Sequence, residues 1–377
     1  MGAFYVEATG VWTMLRNKKI TALQMYCILM LSIGISNHVW LIPVLLQVAK
    51  RDSWVGACAA IVPILLWICV FYLIVKRVGN RKLTDMLRQQ YGKTVQVLIV
   101  SILSIYSFVI SVLSLRDTVT WTNVSYLPAT PRGVLAVMFM LVCFFAARAG
   151  IRAIGVTSGL LLPVVVVLGY LVATANFQYK DYSLLKPLFT HGYMPMLRAA
   201  MDTFGALLEL VFILLMQHHV STKIRFSSLV IFAIILIGLT IGPLTGSIAI
   251  FGPFQSADLR YPAFEQWRMV RMGKFISHLD FLSIYQWISG AFVRISLMLY
   301  LISDLAGIRR ERNRTILLGC IAVFTVVLTI IPMSDMKFFQ LLKDWYYPST
   351  VGLNLFMTVV IFGLVILAGN RKENPSG

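Results

Sequence analysis

Long apolar segments alternate with short polar connections along most of the chain. The first segment begins at Ile20 and the last ends near Ala368. Each is close to the roughly 20 residues that an α-helix needs to cross about 30 Å of hydrocarbon. The segments are apolar on all faces, unlike the alternating strands of about 10 residues that form membrane β-barrels. The pattern therefore predicts an all-α integral membrane protein.

About ten transmembrane helices are predicted, in a single domain over residues 20–368. A segment of residues 1–19 precedes this domain, and a tail of residues 369–377 follows it. The first segment has no apolar run before a small-residue cleavage site, so a signal peptide is not expected. The predicted spans are residues 20–48, 53–76, 94–124, 133–150, 152–175, 199–220, 226–252, 278–304, 315–334 and 347–368.

Composition excludes a soluble fold of this size. Hydrophobic residues make up 59% and charged residues 13% of the chain, whereas soluble domains are nearer half apolar and a quarter charged. The formal net charge of +18 is scattered among short connections instead of forming one patch, which favours membrane lipid over nucleic acid as the partner. Of the 33 Lys and Arg residues, 19 fall on the side of the N-terminus and 13 on the other. This bias predicts that both termini are cytoplasmic.

No residue pattern indicates enzyme chemistry, a metal or a cofactor. The five cysteines lie in apolar segments without paired spacing or a nearby histidine, so disulfides and metal sites are not expected. His218 and His219 end the sixth span, and adjacent positions on a helix point to different faces, which favours interfacial hydrogen bonding over a shared metal. No phosphate-binding glycine loop or nucleophile elbow is present.

The first span is interrupted by a small and polar stretch at residues 34–38, Gly-Ile-Ser-Asn-His, followed by Pro43. We expect the helix to unwind here, because backbone groups freed at membrane depth are tolerated where they meet a ligand, an ion or neighbouring protein. The alternative is a close glycine-mediated helix contact, with His38 reaching toward the interface.

Charged residues occur inside two spans, which is costly in a membrane and indicates function. Asp202 and Glu209 are seven residues apart on one face of the sixth span, and Arg294 lies within the eighth. We expect Arg294 to pair with Glu209 or with a carboxylate-bearing ligand. The alternatives are an interfacial position for Asp202 and a purely structural ion pair for Glu209.

Two further features are polar or aromatic faces. Ser296 and Tyr300 are four residues apart in the eighth span, as are Tyr106 and Ile110 in the third, so each pair shares a helix face. Helix packing is the alternative explanation of both pairs. The connection of residues 253–277 is rich in aromatic residues, which predicts an interfacial helix, or else an ordinary loop with aromatic belt residues.

Five short motifs extend over nearly the whole chain: Ile20-Thr21-Ala22-Leu23-Gln24 before Gly34, Arg51-Asp52-Ser53-Trp54, Leu127-Pro128-Ala129-Thr130-Pro131, Leu185-Lys186-Pro187-Leu188, and Phe275-Ile276-Ser277-His278-Leu279-Asp280 with Trp287. Together they resemble the B subunits of spore germinant receptors, a family within the amino acid-polyamine-organocation transporter superfamily. Relatives often carry Glu-Arg before Asp280, where this chain has Ser277-His278.

The resemblance implies a LeuT/APC-like fold of two inverted five-helix repeats, at about residues 20–175 and 199–368. It places a ligand site near mid-membrane, where the first and sixth helices unwind and the third and eighth pack against them. The implied site comprises the backbone of Gly34, Ile35 and Ser36, walls from Tyr106, Ile110, Gly205 and Leu208, polar closure by Ser296 and Tyr300, and charge balance from Glu209 and Arg294.

The resemblance also implies the function of a nutrient sensor without cofactors. The chain would assemble with A and C subunits in the inner membrane of the spore and bind a nutrient such as an amino acid, triggering germination. The alternative is a proton- or cation-coupled amino acid permease that uses the same helices, with Glu209 as the titrating group. A membrane enzyme is the least favoured class because no catalytic constellation is visible.

Overall fold

The computed structural model describes residues 19–271 and 278–373, and the side chains of residues 19–271 and 278–367. Residues 1–18, the first part of the Phe275–Asp280 motif and the end of the tail lie outside the described residues.

Helices form almost the whole of the described chain, and no β-strand longer than an isolated bridge occurs in it. The α-helices are α1 (Ala22–Ser36), α2 (Ile42–Ala49), α3 (Ser53–Ala59), α4 (Ile61–Val78), α5 (Leu83–Ser125), α6 (Arg132–Ala149), α7 (Ile151–Ala175), α8 (Met194–Leu207), α9 (Phe212–Met216), α10 (Phe226–Phe251), α11 (Pro253–Asp258), α12 (Pro262–Arg268), α13 (Leu282–Leu305), α14 (Glu311–Ile330), α15 (Asp335–Gln340) and α16 (Tyr347–Glu373).

Each predicted span coincides with a helix or a pair of consecutive helices. Nine helical segments of the described chain are long and apolar enough to cross a membrane, and the first of them, Ala22–Val78, has 57 residues and contains two predicted spans. The two are separated at Lys50, whose φ of 44° ends α2. The third span begins earlier than predicted, at Leu83, and Gly92 with a φ of 84° interrupts its first part.

Hydrogen bonds join the connections to one another at both ends of the bundle. On the end that carries Ile20, called the N-terminal face below, the Ile20 N–H donates to the His219 carbonyl at 2.9 Å. On the opposite face, Arg51 donates from Nε to the Leu184 carbonyl at 3.0 Å, and Asp52 accepts from the Phe189 N–H at 2.9 Å. Hydrogen bonds to backbone groups therefore link distant connections at both faces.

The predicted helix in the connection after α10 is present as two short helices, α11 and α12. Trp267 is buried, and its Nε1 donates to Gln286 Oε1 at 2.9 Å. Gln266 is also buried and donates from Nε2 to the Pro243 carbonyl at 2.8 Å. This connection therefore packs into the bundle instead of lying on its surface, and the alternative of an ordinary loop is wrong. Phe275 lies outside the described residues.

α1 packs closely against α13 at Gly290. We therefore expect a methyl group added at Gly290 to destabilise the fold. A Cβ at Gly290 would lie 2.7 Å from the Ile35 Cβ and 3.2 Å from the Leu31 carbonyl. We expect Gly290→Ala to lower the thermal unfolding temperature of the purified protein, with a loss of about 1–3 kcal/mol from overpacking. The matched control is Gly319→Ala in α14, where nothing lies within 4 Å of the added methyl. Equal unfolding temperatures for the two variants would contradict this packing.

Candidate functional site

The first span remains helical through its predicted break. Ser36 has φ −65° and ψ −37°, and residues Asn37–Leu41 form a turn of π-helix in which the Ile42 N–H donates to the Asn37 carbonyl. Pro43 has no N–H to donate, so a helix here must change its hydrogen-bond register, and one wide turn does so without unwinding. The expectation of an unwound segment is therefore wrong for this structure.

Close packing explains the small residues of this stretch. A Cβ on Gly34 would lie 3.2 Å from Leu239 Cδ2, so the alternative of a glycine-mediated contact describes Gly34 better. Ser36 donates from Oγ to the Ile33 carbonyl at 3.0 Å. His38 does not reach outward, because its Nδ1 lies 3.1 Å from the Gly34 carbonyl, which can only accept. The backbone of residues 34–36 is thus part of a continuous, hydrogen-bonded helix.

The sixth span is tightened instead of unwound. Residues Leu208–Val211 form a 3₁₀ turn between α8 and α9, and Leu208 keeps helical angles of φ −64° and ψ −12°. A Cβ on Gly205 would lie 2.6 Å from Val351 Cγ2. Because it has no side chain, Gly205 allows the last span to pack closely against the sixth. The expected unwinding of the sixth helix is absent because no proline removes a hydrogen bond here.

Glu209 and Arg294 form a two-pronged ion pair in the core. Arg294 Nη1 lies 2.6 Å from Glu209 Oε2, and Nη2 lies 2.7 Å from Oε1. The side chains of Arg294 and Glu209 are 0% and 2% exposed, respectively. The expected pairing is therefore present in the structure, whereas the role of the pair in binding a ligand remains a prediction.

Three further groups complete the surroundings of the pair. Arg294 donates from Nε to Ser114 Oγ at 3.1 Å and from Nη1 to the Ser32 carbonyl at 2.9 Å, and Tyr346 donates to Glu209 Oε1 at 3.0 Å. The pair thus joins the first, third, sixth, eighth and last spans. Charges buried this completely require such partners, because their desolvation costs several kcal/mol per ion.

Trp40 connects the ion pair to the opposite face. Its ring lies 5.2 Å from Arg294 Cζ, and its Nε1 donates to Asp117 Oδ2 at 3.0 Å. The ring also meets Tyr346 edge-on at 5.7 Å. Trp40 and Tyr346 each belong to a π-helical turn, Asn37–Leu41 and Leu341–Tyr346 respectively. Sequence reasoning missed both, although a tryptophan beside a polar helix interruption was a usable signal.

Some of the other predicted site residues lie near the ion pair, and others lie farther away. Tyr106, Ile110 and Ser114 recur every four residues on α5, so they share one face, and Ser114 contacts Arg294. Tyr106 accepts from Asn354 Nδ2 at 3.1 Å. Ser296 is fully buried. Tyr300, by contrast, bonds His219 Nε2 at 2.8 Å near the N-terminal face, six residues and about 9 Å along the helix from Arg294.

A second group of charges is connected to the pair through Trp40. We call it the Asp117 cluster: Asp117, Arg260, Tyr261 and Asp335. Arg260 Nη2 lies 2.8 Å from Asp117 Oδ1, and its Nε lies 3.3 Å from Asp335 Oδ2. Tyr261 donates to Asp117 Oδ1 at 3.3 Å. Burial lowers the pKa of Arg260, but Asp117, Tyr261 and Asp335 together outweigh this effect and raise that pKa above its usual value.

A cavity of about 170 Å³ borders this cluster. Tyr261 and Asp335 of the cluster line it, together with Arg116 and Phe338. Arg116 is already engaged, since it donates to the carbonyls of Ile331 and Met333 at 2.8 and 2.9 Å. Neither Glu209 nor Arg294 lines this cavity, so the expected ligand cavity at mid-membrane stays a prediction.

The two histidines of the sixth span converge on one carboxylate. His218 Nε2 lies 3.4 Å from Asp304 Oδ2, and His219 Nε2 lies 3.6 Å from Oδ1. The expectation that they point to different faces is wrong, because Gln217–His219 form a 3₁₀ turn and the centroids of their tilted rings lie 3.8 Å apart. Lys82 Nζ lies 3.0 Å from Asp304 Oδ2, and its positive charge disfavours the binding of a metal cation by these three side chains. The expected interfacial hydrogen bonding is present.

The helical bundle, with a charge pair buried between its sixth and eighth spans, shares its fold with a solved membrane symporter. A Na⁺-coupled sialic acid symporter, in its substrate-bound outward-open state, superposes on 91% of this chain and 78% of its own with a TM-score of 0.55, at 12% sequence identity. The predicted LeuT/APC-like fold of inverted five-helix repeats is thereby confirmed.

The particular family is given by sequence. The family model described as spore germination protein matches residues 19–337, and the chain belongs to this family. Spore germination protein XB of Bacillus anthracis is 40% identical over 352 residues, 93% of this chain and 98% of that protein. The putative spore germination protein YfkT of Bacillus subtilis (strain 168) is 24% identical over 260 residues, 68% of this chain and 71% of that protein. The resemblance drawn from the motifs is confirmed.

Proposed function

We propose that this chain is the germinant-sensing membrane subunit of a spore germination receptor, binding a small nutrient such as an amino acid at the Glu209–Arg294 pair. The observation that carries the proposal is this pair, sealed in the middle of a transporter-type fold. A passive bundle gains little from it, since apolar residues of similar volume are often as stable as a buried ion pair. Recognition of a charged ligand is therefore the better explanation of a charge pair at this depth.

The second candidate function is a cation-coupled permease, favoured by the fold shared with a Na⁺-coupled symporter. Proton coupling through Glu209 is the less favoured form of it. Neutralising Glu209 would leave Arg294 buried without an anion, which costs about 3–5 kcal/mol. Sensing requires no such titration.

The proposal includes a location and partners. We place the chain in the spore inner membrane, with both termini cytoplasmic and with receptor A and C subunits as its partners. The orientation is supported by the 19 basic residues on the side of the N-terminus, against 13 on the other. Family membership supports the role in germination.

Deletion of the chain from spores and purification of the tagged chain with its partners both test the proposal. Spores that lack it are expected to lose the response to at least one nutrient germinant, and the tagged chain purified from spores is expected to bring A- and C-type subunits with it. Reconstituted vesicles separate the second function from the first. Binding of a labelled amino acid without gradient-driven accumulation supports sensing, whereas accumulation supports transport. An unchanged germination response to all nutrients would refute the sensing role.

A further inference from the structure

The cavity beside the Asp117 cluster is lined by two arginines, Arg116 and Arg132. Arg116 is 8% exposed and donates to backbone carbonyls at and just beyond the end of α14. Arg132 donates from Nε to Asn123 Oδ1 at 3.1 Å. Among the described residues these hydrogen-bond partners are all neutral, so each arginine keeps a positive charge without a bonded anion.

The carboxylates of the Asp117 cluster already pair with a third arginine. Arg260 lies 2.8 Å from Asp117 through Nη2 and 3.3 Å from Asp335 through Nε. Asp335 also lines the cavity, and its side chain is 43% exposed. Arg116, Arg132 and Arg260 thus bring three positive charges against the two negative charges of Asp117 and Asp335. An occupant with one negative charge would balance this part of the molecule.

The cavity lies at the level where four helices end or begin. α5 ends at Ser125 and α14 at Ile330, whereas α6 begins at Arg132 and α15 at Asp335. Close packing brings the start of α6 beside the end of α14, since a Cβ on Gly133 would lie 3.6 Å from Ile330 Cδ1. The ends of apolar spans coincide with the boundary between hydrocarbon and water, where the headgroups of lipids lie.

Apolar side chains beside the arginines are open to the surrounding lipid. Val124 lines the cavity and is 67% exposed, so the cavity opens sideways from the bundle. Ile331, whose carbonyl accepts from Arg116, is 50% exposed, and Ile330 before it is 47% exposed. Buried Phe338 forms part of the cavity wall. An occupant with a charged end and an apolar end fits these surroundings better than a small inorganic ion.

We propose that this cavity binds the phosphate group of a phospholipid whose headgroup carries one net negative charge, with its acyl chains along the exposed apolar side chains. Arginine suits phosphate because its N–H groups form paired, charge-assisted hydrogen bonds. The Nη groups of Arg132 have no hydrogen-bond partner among the described residues, so they can donate to the phosphate. Glu209 and Arg294 do not line this cavity, and the inference does not rest on the proposed function.

Two lipids that differ in headgroup charge test the inference on the unaltered protein. Thermal unfolding of the detergent-purified full-length chain would be followed during titration with dioleoylphosphatidylglycerol or dioleoylphosphatidylcholine. Both have the same acyl chains and a phosphate, but choline cancels the negative charge. Half of the stabilisation by phosphatidylglycerol is expected at a lipid fraction at least about fivefold lower than for phosphatidylcholine. Equal titrations, or no stabilisation by phosphatidylglycerol, would overturn the inference.

Arg132→Gln assigns the site to this cavity. The variant is expected to need about fivefold more phosphatidylglycerol for the same stabilisation, because one cation near the headgroup is lost. The matched control is Arg148→Gln, which removes an exposed cation at the other end of α6 and should titrate as the native chain. Equal titrations of the two variants would show that phosphatidylglycerol acts through general surface charge and would overturn the site.

Inorganic phosphate separates a lipid headgroup from the free anion. Added without lipid at constant ionic strength, it should have the same effect on the unfolding temperatures of the native chain and of Arg132→Gln. Stabilisation by inorganic phosphate that Arg132→Gln abolishes, together with no stabilisation by phosphatidylglycerol, would show that the cavity takes the free anion and would overturn the lipid assignment.

Discussion

Arg294→Met is expected to destabilise the folded protein by about 3–5 kcal/mol, because it leaves the Glu209 carboxylate buried with no cation. Glu209 is 2% exposed, and it also accepts a hydrogen bond from the Tyr346 hydroxyl. Glu209→Leu should destabilise the folded protein by a similar amount, since it leaves Arg294 buried without an anion. The double variant should recover most of the stability, because two apolar side chains of similar volume replace the pair. Thermal unfolding of the detergent-purified protein measures all three.

The same variants separate folding from sensing. The double variant is expected to accumulate in spores yet fail to support the germinant response, because the ligand has lost both charges that would hold it. Lys223→Met, an exposed cation in the connection before α10, controls for the loss of a positive charge and should behave as the native chain. A double variant that folds and responds normally would show that the pair is structural, the alternative that the sequence left open.

Asp117→Asn is expected to lower the germinant concentration that spores require by about tenfold or more. Asp117 is 2% exposed and accepts from Arg260, Tyr261 and Trp40. Hydrogen bonds to a charged group contribute about 1.5–3 kcal/mol each. If the Asp117 cluster holds the connection after α10 closed over the ion pair, removing the charge shifts the population toward an open, ligand-accessible state. Germination rates across a germinant dilution series measure the effect.

Asp258→Asn is the matched control for Asp117→Asn. Both changes remove one carboxylate charge from the same face, but Asp258 is exposed, so its variant should keep the native concentration dependence. Immunoblots of spore membranes establish equal protein levels. A requirement for more germinant in Asp117→Asn, at normal levels, would indicate that the cluster supports binding instead of restraining it.

Hydrophobicity along the chain is sufficient to locate the membrane-spanning helices. Helices in lipid must satisfy their backbone within each segment, so apolar length alone identifies them, and the ten predicted spans match the observed helices. The charge pair was also predictable from the sequence. An arginine inside a span has few stable arrangements, and a buried carboxylate is the natural partner.

Local helix geometry was less predictable, because several hydrogen-bond registers differ little in energy. Gly34, Asn37 and Pro43 correctly mark a departure from the α-helix, but tertiary contacts decide between unwinding and a π-turn. Here Leu239 packs on Gly34 and Thr240 accepts from the Asn37 side chain at 3.1 Å. The neighbouring span thus supports the wide turn.

The sequence by itself determined the class of protein and its approximate number of spans, and it limited the partner of Arg294 to Glu209 or a ligand carboxylate. Only the tertiary structure decided which residues surround that pair. Trp40, Ser114 and Tyr346 come from three different spans, and contacts between residues so distant along the chain depend on how helices rotate against each other. Periodicity within one helix carries no information about that rotation, so the site around the predicted charges emerged only from the folded bundle.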